Sequence, residues 1–167
     1  MLEEKRNMAY NLERNKGKVS DIKQNIDTKQ NEFKDLEKNK DELLEAGIEI
    51  QNSNIDENVQ ENLMEQINQA LEANAEKGDE LADEMNLDAK DLEDIKQETQ
   101  ESVQSNITER KNLEKKQKLL DKFGLGNKLD NAISELDDNK AQLEEFNQSL
   151  IDAGQKIDQV SQKLRSL

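Results

Sequence analysis

Residues 127–167 read NKLDNAISELDDNKAQLEEFNQSLIDAGQKIDQVSQKLRSL, and this stretch indicates the fold most clearly. A large aliphatic residue returns at every seventh position in it without a miss. These residues are Leu129, Leu136, Leu143, Leu150, Ile157 and Leu164. A second set stands three residues later: Ala132, Asn139, Phe146, Ala153, Val160 and Leu167. Such heptads are typical of helices that pack as a coiled coil, so we predict a helix over about 127–166.

A second heptad occupies the first part of the chain. Its first positions are Leu12, Val19, Ile26, Phe33, Lys40 and Gly47, and its fourth positions are Asn15, Ile22, Lys29, Leu36, Leu43 and Ile50. This pattern predicts a helix over about 2–47, with Gly47 as its C-terminal glycine. The polar residues at heptad positions are Asn15, Lys29, Lys40 and Asn139. They either fix the register of helix pairing or mark a solvated stretch of seam.

The middle of the chain is less regular and leaves two alternatives open. Turn signals at 51–54 and 86–88 divide it into helices over about 54–85 and 88–123. With the two outer helices this makes four, which we favour in antiparallel order because the connections are short. Apolar spacing nevertheless continues across 86–88. A single central helix over about 54–122 would leave three helices instead.

The end of this middle region is sharply marked. Four lysines crowd its last turns, where cations favour the negative end of the helix dipole. They are Lys115, Lys116, Lys118 and Lys122. The stretch Phe123-Gly124-Leu125-Gly126 then breaks the helix, and Asn127 is a good N-cap for the last one.

The composition agrees with long helices that pack through narrow seams. Of the 167 residues, 32% are apolar and 38% are charged, and there is no Pro, Cys, His or Trp. A coiled-coil seam needs about 29% apolar residues, whereas a helix of an ordinary globular bundle needs about 43%. Long uninterrupted helices also require the absence of proline. We therefore expect an all-α fold, an antiparallel coiled-coil-like bundle of long amphipathic helices, forming a single elongated domain over 1–167.

The missing residue types exclude most active-site chemistry. Without His or Cys there is no catalytic triad, no cysteine nucleophile and no zinc site of the usual kinds. The stretch 124–128, GLGNK, lacks the spacing of a phosphate-binding loop. The carboxylates at 137–138 with 144–145 lack the calcium-loop pattern, and so do Asp79 and Asp83, so all are expected on solvated helix faces. We expect no enzyme, and no catalytic, cofactor-binding or metal-binding residues.

The negative charge is concentrated in the middle of the chain. The net charge is −15, and residues 51–100 alone hold 15 acidic and 3 basic side chains. This block repels phosphate backbones and anionic membranes, so we expect no nucleic-acid partner. It either docks a basic partner or keeps the chain apart from its neighbours. The basic segment 110–122 is explained by helix-end stabilisation, with pairing to the acidic helix as the alternative.

The location of the protein is left open by the sequence. No apolar stretch approaches the roughly 18–20 residues of a membrane span, so no such span is expected. The first residues are not followed by the apolar core of a signal peptide. The expectation is therefore a cytoplasmic protein by default, or one exported by a route that needs no such signal.

Three functions are compatible with these features. The first is a non-enzymatic helical interaction or scaffolding module that binds a protein partner or another copy of itself. The second is export-related, because the chain resembles in architecture alone the helical hairpins of type VII secretion substrates and the targeting regions of bacterial toxins. The Trp-x-Gly turn of the small secreted family is absent from it. The third is an enzyme that uses carboxylates alone, although helices of this kind offer no evident pocket.

Overall fold

Three long α-helices make up the part of the chain that the computed structural model describes, which is the backbone of residues 2–167 and the side chains of residues 3 and 6–167. The helices are α1, Leu2–Gln51; α2, Glu57–Asp121; and α3, Asp130–Arg165. Met1 lies outside the described residues, and no strand occurs within them. The all-α prediction is confirmed, whereas the favoured count of four helices is wrong.

The predicted break at 86–88 does not occur, because a heptad passes through it. The first position of this heptad recurs from Met64 to Leu120 without interruption, and none of its residues is exposed. These residues are Met64, Leu71, Gly78, Met85, Leu92, Thr99, Asn106, Leu113 and Leu120. Three of them are not large and apolar, which concealed the repeat in the sequence. The two helices predicted over 54–85 and 88–123 are therefore one helix, close to the three-helix alternative.

The end of α1 also differs from its prediction. Helix α1 continues past Gly47 to Gln51, and Gly47 lies buried in its interior, facing Met64 of α2. A glycine with a helical neighbour packed against it does not act as a terminal residue. The helix predicted over 2–47 is thus four residues longer, Leu2–Gln51.

The next helix begins with a side-chain cap. The carboxylate of Asp56 accepts a hydrogen bond from the backbone N–H of Asn58 at 2.8 Å, and the Asp56 carbonyl accepts one from Gln60 at 2.9 Å. Asp56 is therefore the N-cap of α2. The predicted start near residue 54 lies two to three residues too early, since Glu57 is the first residue of α2.

Helix α2 ends in a Schellman motif. The N–H of Leu125 donates to the carbonyl of Leu120 at 2.9 Å, and the N–H of Gly124 donates to that of Asp121 at 3.1 Å. Gly124 has a φ of 70°, which glycine adopts without a steric penalty. The helix break predicted at 123–126 is thus observed, with α2 itself ending at Asp121.

The connection to α3 contains a short 3₁₀ helix, Gly126–Leu129. Asn127 lies inside it, so its predicted role as N-cap of the last helix is wrong, and α3 begins at Asp130. The side chain of Gln117 crosses the turn and donates to the carbonyl of Gly126 at 3.2 Å and to the carboxylate of Asp130 at 2.6 Å. These bonds hold the connection in its tight form.

The contacts divide the chain into two compact units. Unit 1 consists of Met1–Ser20 and Asp91–Ala153, and unit 2 consists of Asp21–Lys90 and Gly154–Leu167. Each unit therefore contains one segment of each helix. The expectation that residues 1–167 form a single domain stays a prediction.

In each unit, α2 runs antiparallel to both of its neighbours. In unit 2, for example, Asn74 bonds to Leu36 and Glu84 to Lys29, so the two helices run in opposite directions. The buried apolar residues of unit 1 are Val19, Leu92, Ile95, Leu113, Leu136, Leu143, Phe146, Leu150 and Ala153. Those of unit 2 are Ile22, Ile26, Ile67, Leu81, Ala82, Met85, Ile157, Val160 and Leu164. Most of them stand at heptad positions predicted for α1 and α3 or observed in α2.

Candidate interaction surfaces

The acidic hairpin, which we define as residues 41–76, comprises the end of α1, the turn and the beginning of α2, all within unit 2. It contains ten acidic residues and no Lys or Arg. These are Asp41, Glu42, Glu45, Glu49, Asp56, Glu57, Glu61, Glu65, Glu72 and Glu76. No cation of its own offsets this charge, so the segment attracts basic groups.

Helix α3 does not extend along the acidic hairpin. The backbone carbonyl of Leu164 and the side chain of Leu167 lie against Gly78 of α2. The ammonium of Lys163 lies 6.0 Å from the centre of the Phe33 ring of α1. These contacts place the last residues of α3 level with Phe33 and Gly78, before the acidic hairpin begins. Within the described part of the chain, the hairpin is packed as two helices only.

Most large apolar residues of the acidic hairpin are in at least partial contact with solvent. Ile67 is the only large apolar residue of the hairpin that is buried. Leu44, Ile48, Ile55 and Val59 are exposed to 46, 59, 40 and 50%. An exposed apolar set among charged residues is typical of an interaction site.

Amide hydrogen bonds hold the two helices of the acidic hairpin in one register. Asn74 is buried and donates to the carbonyl of Leu36 at 3.0 Å, while its own side-chain oxygen accepts from Asn39 at 3.1 Å. Near the turn, the Gln60 side chain donates to the carbonyl of Ile50 at 3.1 Å. These bonds fix the position of α1 along α2 at both ends of the acidic hairpin.

The basic turn, which we define as residues 110–128, joins α2 to α3 within unit 1. It contains seven basic and two acidic residues. Its apolar residues Leu119, Phe123 and Leu125 are exposed to 60, 77 and 41%. This segment is thus a second exposed apolar surface, with charge opposite to that of the acidic hairpin.

Most cations of the basic turn form no ion pair with the described residues of unit 1. Arg110 binds Asp137 at 2.6 Å and also binds Glu114, whereas the described contacts give the six lysines of the turn no ion pair. Only Lys118 lies in the last turn of α2. Stabilisation of the helix end therefore does not account for the other five lysines, and the basic residue that pairs with a neighbouring helix is Arg110.

Ion pairs also join neighbouring helices within each unit. Lys29 pairs with Glu84 in unit 2, and the hydrogen bond from its ammonium lowers the pKa of Glu84. In unit 1 the hydrogen bond from Arg110 lowers the pKa of Asp137, and that carboxylate raises the pKa of Arg110. Arg165 binds Asp83 at 2.8 Å. Two of the carboxylates considered as calcium ligands, Asp83 and Asp137, thus have arginine partners.

The polar residues at heptad positions differ in their exposure to solvent. Asn15 is buried, Lys29 and Lys40 are half-buried, and Asn139 is exposed. Asn139 borders a cavity of about 160 Å³ in unit 1, whose walls include Leu12, Leu143 and Asn106. The amide nitrogen of Asn106 donates to the carbonyl of Leu136 at 2.9 Å, and its oxygen is buried without a protein partner among the described residues.

Among the described residues, no group of three or more acidic side chains is arranged to hold a metal ion. None of the described helices has a segment that is both long and apolar enough to span a membrane.

The fold redistributes the acidic block predicted at 51–100. Residues 51–90 lie in unit 2 and residues 91–100 in unit 1, while residues 41–50 of α1 add four acids to the hairpin. The segment without cations becomes visible only when the end of α1 and the beginning of α2 are considered together, because the two helices pack as an antiparallel pair.

Comparison of the chain with protein-family models, with curated proteins and with solved structures gave no match.

Proposed function

We propose that the chain is a non-enzymatic helical interaction module, and that the acidic hairpin is its docking surface for a basic, apolar-faced segment of a protein partner. One observation carries the proposal. Where α3 no longer covers α1 and α2, exposed apolar residues stand among ten carboxylates, with no cation between them. A segment with lysines flanking an apolar face matches both features of this surface.

The two features have separate roles in binding. Burial of a half-exposed side chain such as Ile48 or Val59 contributes about 1 kcal/mol, so a few of them suffice for a weak but specific complex. The carboxylates act mainly on the association rate and on the choice of partner, because they attract basic segments and repel acidic ones. Binding is therefore expected to weaken as salt screens the charges.

No contact among the described residues favours one of the other predicted functions. Coiled-coil packing of the seams, the scaffolding role and the absence of enzymatic activity stay predictions. The export-related function and the enzyme that uses carboxylates alone stay predictions as well.

A fluorescent synthetic helix of leucine and lysine in heptad order tests the docking surface. We expect its anisotropy to rise on titration with the chain, and Ile48→Gln to weaken binding about fivefold through the lost apolar contact. Leu87→Gln is the matched control, because Leu87 is 66% exposed on α2 but lies outside the acidic hairpin. Equal losses in the two variants would contradict the proposal.

The contribution of charge to peptide binding is tested with a second pair of variants. Neutralising Glu45, Glu49 and Glu61 to Gln is expected to weaken peptide binding about tenfold at low salt, because these charges are next to or near the exposed apolar residues in the sequence. The control replaces Asp138, Glu145 and Asp158 of α3 by their amides, which changes the net charge of the chain equally. If both variants lose the same affinity, the peptide senses only the net charge of the chain, and the hairpin is not a site.

A further inference from the structure

We infer that the basic turn of a second copy of this chain is the partner of the acidic hairpin, so that copies associate hairpin to turn. The inference rests on the proposed function of the hairpin, and names the occupant. The two segments are complementary in charge, with ten acidic and no basic residues at 41–76 against seven basic and two acidic residues at 110–128.

The apolar residues of the two surfaces also match. Phe123 is 77% exposed, although an aromatic ring is among the side chains that gain most from burial. The Schellman motif fixes the backbone at Gly124, whose chain neighbours are Phe123 and Leu125, and Leu119 lies in the last turn of α2. These exposed apolar residues can be buried against the exposed apolar residues of the acidic hairpin.

The charges disfavour contacts between two like surfaces. Two acidic hairpins in contact would bring together segments of net charge −10, and two basic turns would bring together segments of net charge +5. Contacts between unlike surfaces are therefore favoured. Such a contact joins two different surfaces, and each copy carries both of them.

The lysines of the basic turn are available for this contact. Lys115, Lys118 and Lys122 are exposed, and the described residues provide them with no ion pair. In the docked arrangement they meet carboxylates such as Glu45, Glu49 and Glu61, which are exposed as well. Ion pairs that form as apolar residues are buried are screened less than pairs in open solvent, so they add specificity to the contact.

Sedimentation equilibrium of the unmodified chain gives the first test. At about 0.05 M salt, where the screening length exceeds 10 Å, we expect the mean mass to rise with concentration above the 19.2 kDa of one chain. At about 0.5 M salt we expect it to return toward that value. A mass of one chain at every concentration in low salt would overturn the inference.

A pair of charge reversals identifies the surfaces. The turn variant carries Lys115→Glu, Lys118→Glu and Lys122→Glu, and the hairpin variant carries Glu45→Lys, Glu49→Lys and Glu61→Lys. We expect each alone to associate at least about tenfold more weakly than the unmodified chain. We expect a mixture of the two to associate again, because the unaltered hairpin of the turn variant can bind the unaltered turn of the hairpin variant. If either variant alone associates as strongly as the unmodified chain, the inference is wrong.

The matched control reverses three lysines outside the turn: Lys18→Glu, Lys34→Glu and Lys156→Glu. It changes the net charge as the turn variant does and is expected to keep association. All six substitutions of the two lysine variants are at exposed positions, and circular dichroism checks that helix content is unchanged. Equal loss in the control and the turn variant would mean that net charge alone governs association, and would overturn the inference.

Two further outcomes separate this inference from the proposed function. If the chain stays monomeric but binds the leucine–lysine helix in an Ile48-dependent way, the hairpin is a docking surface and a second copy is not its occupant. If the monomeric chain instead binds vesicles of phosphatidylcholine with phosphatidylserine, and Phe123→Ser abolishes this, then the basic turn recognises anionic lipid. Either result rejects hairpin-to-turn association.

Discussion

Helix α2 passes through two different environments within unit 2. Between residues 77 and 90 it packs against both α1 and α3, and Gly78, Leu81, Ala82 and Met85 are buried. Between residues 57 and 76 it packs against α1 alone, and only Ile67 and Asn74 are buried. Apolar content does not explain this difference, since eight of 20 residues are apolar in the second stretch and five of 14 in the first.

The comparison shows that burial here depends on the number of neighbouring helices. A pair of helices covers one stripe on each partner, whereas a third helix covers the groove that remains between them. The same heptad therefore supplies a core in one stretch and a partly exposed surface in the next. Regions of low contact density open more easily, which suits them to binding.

The largest effect is expected from truncating equivalent heptad residues in the two stretches. Met85 is fully buried in the three-helix part, so Met85→Ala should lower the free energy of unfolding by about 3 kcal/mol. Leu71 occupies the same heptad position in the acidic hairpin but is only half-buried, so Leu71→Ala should cost about 1 kcal/mol. Urea denaturation measures both. Equal losses would remove the distinction between the stretches.

The next effect is expected at Gly78, where α2 and α3 approach each other closely. A methyl group at Gly78 would collide with the backbone carbonyl of Leu164. Gly78→Ala should therefore destabilise unit 2 by about 1–2 kcal/mol, although alanine favours the helix itself. Gly154→Ala is the matched control, because nothing lies within 4 Å of the added carbon, and it should stabilise by about 0.5–1 kcal/mol. The same sign of change at both positions would argue against the observed packing of α3.

A smaller effect is expected for the buried amide that links the helices of the acidic hairpin. Asn74→Ala removes the bonds to Leu36 and Asn39, and should cost about 1 kcal/mol. Asn62 is exposed in the same stretch of α2, and Asn62→Ala should stay within about 0.5 kcal/mol of the unmodified chain. Hydrogen exchange at residues 41–76 should accelerate in the first variant only. Unchanged exchange there would show that the amide does not hold the hairpin.

The smallest effect concerns the exposed ion pair between Lys29 and Glu84. Lys29→Gln should raise the pKa of Glu84 toward its ordinary value, because the hydrogen bond from Lys29 is what lowers it. A carboxylate with a lowered pKa stabilises the fold above its ordinary pKa, and this contribution disappears as the pH falls through the lowered value. Titration followed by NMR measures the shift, with Lys34→Gln as the control. A pKa of Glu84 that does not respond to Lys29→Gln would place its partner elsewhere.

Part of the interaction surfaces could be predicted from the sequence. The acidic block, the four lysines of 115–122 and the turn at 123–126 are visible as runs of residue type. Their grouping into two surfaces is not visible, because it depends on which residues of α1 lie beside α2. The exposure of Phe123 and Ile48 also depends on whether another helix covers them, and no local pattern states this.

The helical character of the chain, the seams of two of its helices and the turns at 51–54 and 123–126 can be predicted from the sequence alone. Heptad spacing, the absence of proline and the glycine-rich turn are local signals, and each acts through a few neighbouring residues. The continuity of α2 and the end of α3 before the acidic hairpin become clear only from the packing of the helices. The continuity of α2 depends on Gly78, Thr99 and Asn106, which keep their heptad positions because neighbouring helices bury them. A small or polar residue belongs to a buried seam only if neighbouring helices cover it. Its position in the seam can therefore be recognised in the folded structure but not in the sequence.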